Sequence, residues 1–262
     1  MVDKRYRNQM ESIFERLERL DAEPNWRLIN KYNQHFASNQ LKYQLIANNQ
    51  VRPCFFTGDV ESGGKVVSIS LNPAYTPGAT EAEHAGIDFK GWYRFCQNRF
   101  LEYERESEVH SIFKNLFKLI APPATWNTVD KREYLQENLL NLDWCCYYSE
   151  NFSSFAVMRL PQDLRKLILE TFDTTLSWLI EQSKPRYIFV HGRAMQSWVD
   201  RHAEDFEHAI MLQSNNGPCR LYMGRYLNSS VRMYYLEHFI NRANKNTTLK
   251  RLNQYLNNNG SP

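Results

Sequence analysis

Sulfur and metal chemistry have little to work with in this chain. Its five cysteines, Cys54, Cys96, Cys145, Cys146 and Cys219, form no Cys-x-x-Cys pair and have no histidine at zinc-finger spacing. A disulfide framework and a structural zinc site are therefore not expected. The adjacent Cys145 and Cys146 sit in an apolar and aromatic run and read as buried thiols, so no metal and no cofactor is assigned. No apolar run is long enough to cross a bilayer, and Met1 to Arg7 carry charge with no apolar stretch behind them. Neither a membrane nor a secretory signal is expected, and the expected compartment is the cytoplasm. The chain also lacks a Gly-x-Ser-x-Gly elbow, a Walker loop and a Gly-x-Gly-x-x-Gly fingerprint, which argues against several common hydrolase and nucleotide-binding designs. A net charge of +3 gives no strong field of one sign, so any nucleic-acid case has to rest on local patches.

What remains is an alternation of helical and strand patterns over 262 residues, enough for one packed domain. Met10, Ile13, Phe14, Leu17 and Leu20 recur at helical spacing, and a second helical stretch runs from Asn25 toward Ile46. Val66-Val67-Ser68-Ile69-Ser70-Leu71 is short, β-branched and bounded by turn residues, the pattern of a central strand buried on both faces. It ends at Asn72-Pro73. Tyr75 to Gly91 reads as a long loop, with helical pattern resuming from Trp92 and again around Ile112 to Ile120. Leu139 to Trp144 reads as a second strand and Tyr187 to His191 as a third. A helix precedes that third strand from Pro161, and another follows from Arg193. Arg220 to Met223 and Val231 to Leu236 read as two more strands, and Leu249, Leu252 and Leu256 mark a last helix. The expected fold is a three-layer αβα arrangement around a mostly parallel sheet of four to five strands. Residues 1–50 form a helical extension packed on the core, 51–256 the main domain, and 257–262 a disordered tail.

In such a sheet, ligands bind beyond the carboxyl ends of the strands. Asn72 follows the first strand, Asn141 and Asp143 lie on the second, His191 ends the third and His238 follows the last. Each alone has an ordinary reading: a turn element, a local cap, a strand terminus, a structural histidine. Their joint order is what suggests one cleft.

Ser70-Leu71-Asn72-Pro73 resembles the first motif of the uracil-DNA glycosylase superfamily, closest to the Gly-hydrophobic-Asn-Pro form of its mismatch-specific and single-strand-selective branches. Asn141-Leu142-Asp143 with Tyr147-Tyr148-Ser149 is similar to the middle Asn-containing strand end. Ile188 to Ala194 resembles the hydrophobic strand and Gly-x-Ala turn, and His238 resembles the histidine that opens the last motif. Two departures stand out: Ser70 occupies the usual glycine position, and His238-Phe239-Ile240 replaces His-Pro-Ser.

The resemblance implies a monomeric, cofactor-free DNA glycosylase acting on a flipped damaged or modified base, in repair or in defence against foreign DNA. It implies that Asn72 orients the attacking water and His238 stabilises the departing base. Asn141 and Asp143 would contact the base edge, and Tyr75 or Phe89 would stack on it. DNA contacts would come from His191, Arg193, Arg242, Lys245 and Asn246. The alternative is a nucleic-acid or nucleotide binding module of the same fold without catalysis.

Overall fold

A computed structural model describes residues 11–23, 25–36, 43–46, 51–152, 154–214, 217–238 and 246–259. The chain opens with α1 (Ile13–Ala22) and α2 (Trp26–His35). A reciprocal capping box starts α1: the Ser12 amide donates to Glu15, and the Glu15 amide donates to the Ser12 hydroxyl. Leu17, Leu28, Ile29 and Tyr32 from these two helices join the main hydrophobic core.

After the two-residue strand β1 (Phe56–Thr57) comes β2 (Val66–Ser70), buried along nearly its whole length as its β-branched run requires. The segment expected to be a long loop instead contains α3 (Ala79–His84) and the start of α4 (Phe89–Gln97). Asp88 caps α4 by accepting from the Gly91 amide at 2.7 Å, so the helix starts at Phe89, three residues upstream of the expected Trp92. Then follow α5 (Ser111–Ile120), α6 (Lys131–Asn138), β3 (Leu139–Asp143), α7 (Ser154–Met158) and α8 (Gln162–Ser183). The second half comprises β4 (Tyr187–His191), α9 (Gln196–His202), β5 (Ala203–Ser214), β6 (Gly217–Tyr226), β7 (Arg232–Leu236) and α10 (Asn246–Asn259). The last helix extends three residues into the tail expected to be disordered.

Among the described residues, seven strands form one mixed sheet in the order β1-β3-β2-β4-β7-β6-β5. Its centre, β3-β2-β4-β7, is parallel. At one end β1 pairs antiparallel with β3, and at the other β7, β6 and β5 are antiparallel. The expectation of four to five mostly parallel strands is corrected here, and the physical reason lies in β5. Its sequence, Ala203 to Ser214, is rich in charge and interrupted by register shifts at Glu204/Glu207 and His208/Ile210, so it shows no period-two pattern. Such irregularity suits an edge strand, where charge and bulges discourage further pairing.

Alternation along the central strands splits the interior into two cores. Val67, Ile69, Leu140, Leu142, Ile188 and Val190 face one side with residues of α1, α2 and α8. Val66, Leu139, Tyr187 and Phe189 face the other with residues of α5 and α10. The α5–α10 contact is fixed by Asn253, which is 1% exposed and whose amide nitrogen donates to the Leu119 carbonyl at 2.7 Å and the Ala121 carbonyl at 2.8 Å. These are carbonyls at the end of α5, which no further helical turn can satisfy. Replacing Asn253 with Ala should lower stability by about 1–3 kcal/mol, because buried acceptors lose their donor. Urea unfolding with an unchanged midpoint would contradict this account.

Candidate functional site

The connections of the parallel strands run to opposite sides. From β2 the chain goes to β3 on one flank, then crosses to β4 on the other. A reversal of this kind opens a crevice at the carboxyl ends of the two diverging strands. A cavity of about 450 Å³ lies there, and Asn72, Asn141, Asp143 and His191 all line it.

Register explains the convergence. In parallel pairing Ser68 lies beside Asn141 and Ser70 beside Asp143. Ile69 lies beside Val190, so the next step places Ser70 next to His191. Side chains two apart on a strand share a face. The same rows that carry Val66, Leu139, Tyr187 and Phe189 into one core therefore end on Ser70, Asp143 and His191. The Ser70 hydroxyl donates to the Asn141 Oδ1 at 2.9 Å, tying the first two strands together below the rim.

Asn72 sits one turn further out, half-buried, with its Nδ2 donating to the Pro73 carbonyl at 2.8 Å. Its Oδ1 is left as an acceptor. The turn is pinned by main-chain bonds: the Trp144 and Cys145 amides donate to the Ser70 and Leu71 carbonyls at 2.9 Å, and the Tyr75 amide to the Ser149 carbonyl at 3.1 Å. Parallel pairing thus continues past the formal strand ends and holds Asn72 beside the β3 outlet.

Burial governs the ionisation of this lining. Asp143 is 7% exposed, and desolvation pushes its carboxyl up to about 8, so it carries its proton at neutral pH. His191 is 1% exposed, and desolvation pushes its imidazole down to about 4, so it is neutral. The strand-end groups therefore present hydrogen-bond donors and acceptors without net charge.

Ser70, Leu71, Pro73, Tyr148 and Ser149 of the two strand-end motifs line it as well, whereas Trp92 and Phe95 on α4 and Arg99 just beyond that helix were not expected as site residues. Trp92, Phe95 and Arg99 do fall at i, i+3 and i+7, a single helical face, which is the signal that locates them.

Other expectations are corrected. Phe89 is buried in the core against Phe14 and Tyr93, with ring centroids 5.2 and 6.1 Å away, so no base can stack on it. Tyr75 is half-buried and directs its hydroxyl to Glu81, and it does not line the cavity. His191, expected at a DNA surface, lies inside the cavity because the row it ends is a core row. His238 is half-buried outside the cavity lining. The chain leaving β7 is drawn toward β6: the Glu237 amide donates to the Arg220 carbonyl, the Glu237 carboxylate accepts from the Arg220 amide, and the His238 main chain hydrogen-bonds the Cys219 sulfur. Arg193 is exposed on the turn after β4. Arg242 and Lys245 lie outside the described residues, as does the side chain of Asn246, the first residue of α10. Among the described residues, no helix is long and apolar enough to cross a membrane, and no group of three or more His, Cys, Asp or Glu side chains is placed to hold a metal.

No family model, curated protein or solved structure matches the chain.

The raised Asp143 value has a stability consequence. Below pH 3.8 the carboxyl is protonated in both folded and unfolded chains. Between 3.8 and about 8 the unfolded chain ionises while the folded one holds the proton, so folding stability declines as pH rises through that window. Asp143→Asn removes that cost. The variant should melt several degrees above the unsubstituted protein at pH 8 and near it at pH 4. Equal melting differences at both pH values would refute the buried neutral carboxyl.

Proposed function

We propose that the protein is a monofunctional DNA glycosylase that hydrolyses the bond between deoxyribose and a damaged or modified base flipped into the β2–β4 crevice. The observation that carries this reading is the convergence of Asn72, Asn141, Asp143 and His191 on one cavity, in the motif order that resembles the uracil-DNA glycosylase superfamily.

The reaction breaks the sugar–base bond, forms a bond from C1′ to a water oxygen, and passes the water's proton to the departing base. Positive charge develops on the sugar and negative charge on the base, so a donor aimed at the base lowers the barrier. In this reading the Asn72 Oδ1 orients the water. A neutral amide suffices because the sugar cation is well developed before the water attacks. Asn141 reads the base edge with an amide already oriented by Ser70. The base's developing charge is met by the protonated Asp143 and the neutral His191 in place of His238, since these two line the cavity and carry no charge that would attract a cation or repel the anion. A buried carboxylic acid in this position acts as donor only while it holds its proton.

A second reading, binding without turnover, is favoured by the neutrality of the strand-end groups at pH 7, which leaves none of them as a charged general base.

The test is incubation with oligonucleotides carrying a panel of damaged and modified bases, followed by alkaline cleavage at abasic sites. Strand breaks are expected with at least one base, and Asn72→Ala should slow them by about a hundredfold or more. The rate should fall above pH 8 as Asp143 ionises, and Asp143→Asn should keep activity while losing that alkaline limb, because an amide donates at every pH. A stable complex with base-containing DNA and no abasic product in a single turnover would establish the binding module instead.

A further inference from the structure

The cavity is larger than the proposed reaction needs. A bare pyrimidine has about eight non-hydrogen atoms, whereas about 450 Å³ is the scale of a drug-sized ligand. The unused part is lined by α4 and the segment leading into α5, and its chemistry differs from that of the strand ends.

Arg99 and Glu83 meet there, with guanidinium and carboxylate 2.6 Å apart and both side chains about one-third exposed. The Arg99 guanidinium also lies over the rings of Phe95 at 4.5 Å and Tyr103 at 5.5 Å. Phe95 in turn stacks on Trp92, 5.2 Å between centroids and 25° between planes. The compartment thus combines flat apolar faces with a charge-paired donor and acceptor. A phosphate or carboxylate would gain from Arg99 and be opposed by Glu83, and an ammonium group would meet the reverse. An uncharged group with several hydroxyls satisfies both partners at once, donating to the carboxylate, accepting from the guanidinium, and laying its C–H faces on the rings.

Resting on the glycosylase reading above, we propose that the substrate base carries a bulky, uncharged, hydroxyl-rich substituent of saccharide type, held by Arg99, Glu83 and Phe95. These residues then set specificity without touching the reacting atoms.

The test uses four oligonucleotides alike except at one cytosine, whose ring 5-position bears hydrogen, a hydroxymethyl group, a carboxylate, or a hydroxymethyl group linked to a hexose. Excision and equilibrium binding by fluorescence anisotropy are both measured. The hexose-bearing base should be excised, and its oligonucleotide bound, about tenfold or more better than the other three. Glu83→Gln and Arg99→Gln should each reduce that preference toward unity and leave handling of the unsubstituted base unchanged. Glu83→Gln keeps the side chain's shape and a hydrogen-bond acceptor for Arg99, and unchanged thermal melting of the variant separates loss of preference from loss of folding. Absence of the preference in both measurements, preference for the carboxylate, or equal losses on all four oligonucleotides would overturn the proposal. A binding preference that depends on Arg99 and Glu83 with no excision of any base would retain the substituent site and reject the glycosylase reading.

Discussion

The molecule depends on one constraint, the in-register parallel pairing of β3, β2 and β4. A strand has a side-chain period of two, so register decides whether Ser70, Asp143 and His191 end one shared row or scatter over two faces. The apolar members of the same rows anchor that register. Val66, Leu139, Tyr187 and Phe189 go into a core, and a slip of one residue would exchange them with Val67, Leu140, Ile188 and Val190 on the opposite side. Because both faces are buried, the slip is not blocked by burying charge in the strand interior. It is blocked at the ends, where it would carry Asp143 and His191 away from the crevice and into packed helices. Core and site are therefore specified by the same pairing.

This coupling also explains which parts were legible in the sequence. Val66 to Ser70 and Tyr187 to His191 announce themselves as central strands by β-branched and aromatic content, and the strand-end rule then points to Asn72, Asn141, Asp143 and His191 without knowledge of the tertiary structure. The rule names residues but not the direction the chain takes afterward. His238 follows its strand as His191 does, yet the Glu237 contacts to β6 turn it toward the antiparallel end of the sheet. Nothing local in Leu236-Glu237-His238 encodes that turn, because the partner residues, Cys219 and Arg220, lie in a neighbouring strand. The β5 strand was illegible for the opposite reason: its bulges and charges suppress the alternation by which strands are recognised. Phe89 was misassigned because an aromatic after a polar loop looks the same whether it faces a ligand or Phe14 and Tyr93.

Two groups at the crevice are held in ionisation states that the unfolded chain does not share at neutral pH or below it. Desolvation raises Asp143 and lowers His191, and each shift subtracts from folding stability over part of the pH range, for Asp143 as pH rises from 3.8 and for His191 as pH falls below 6.5. A sequence selected for stability alone would place apolar side chains at these row ends, as it does deeper in the same rows at Leu139 and Phe189. Polar residues at the ends of otherwise apolar rows are thus local departures from the folding pattern, and departures of this kind concentrate at sites of function. Asn141 fits the same logic, since Ser70 satisfies its Oδ1 and leaves its remaining polarity to the cavity. The crevice is accordingly the place where the chain gives up stability, and main-chain bonds pin the Asn72 turn at its rim. An acceptor on a mobile loop would have to be ordered each time a ligand entered. One held between two strand outlets is already in position.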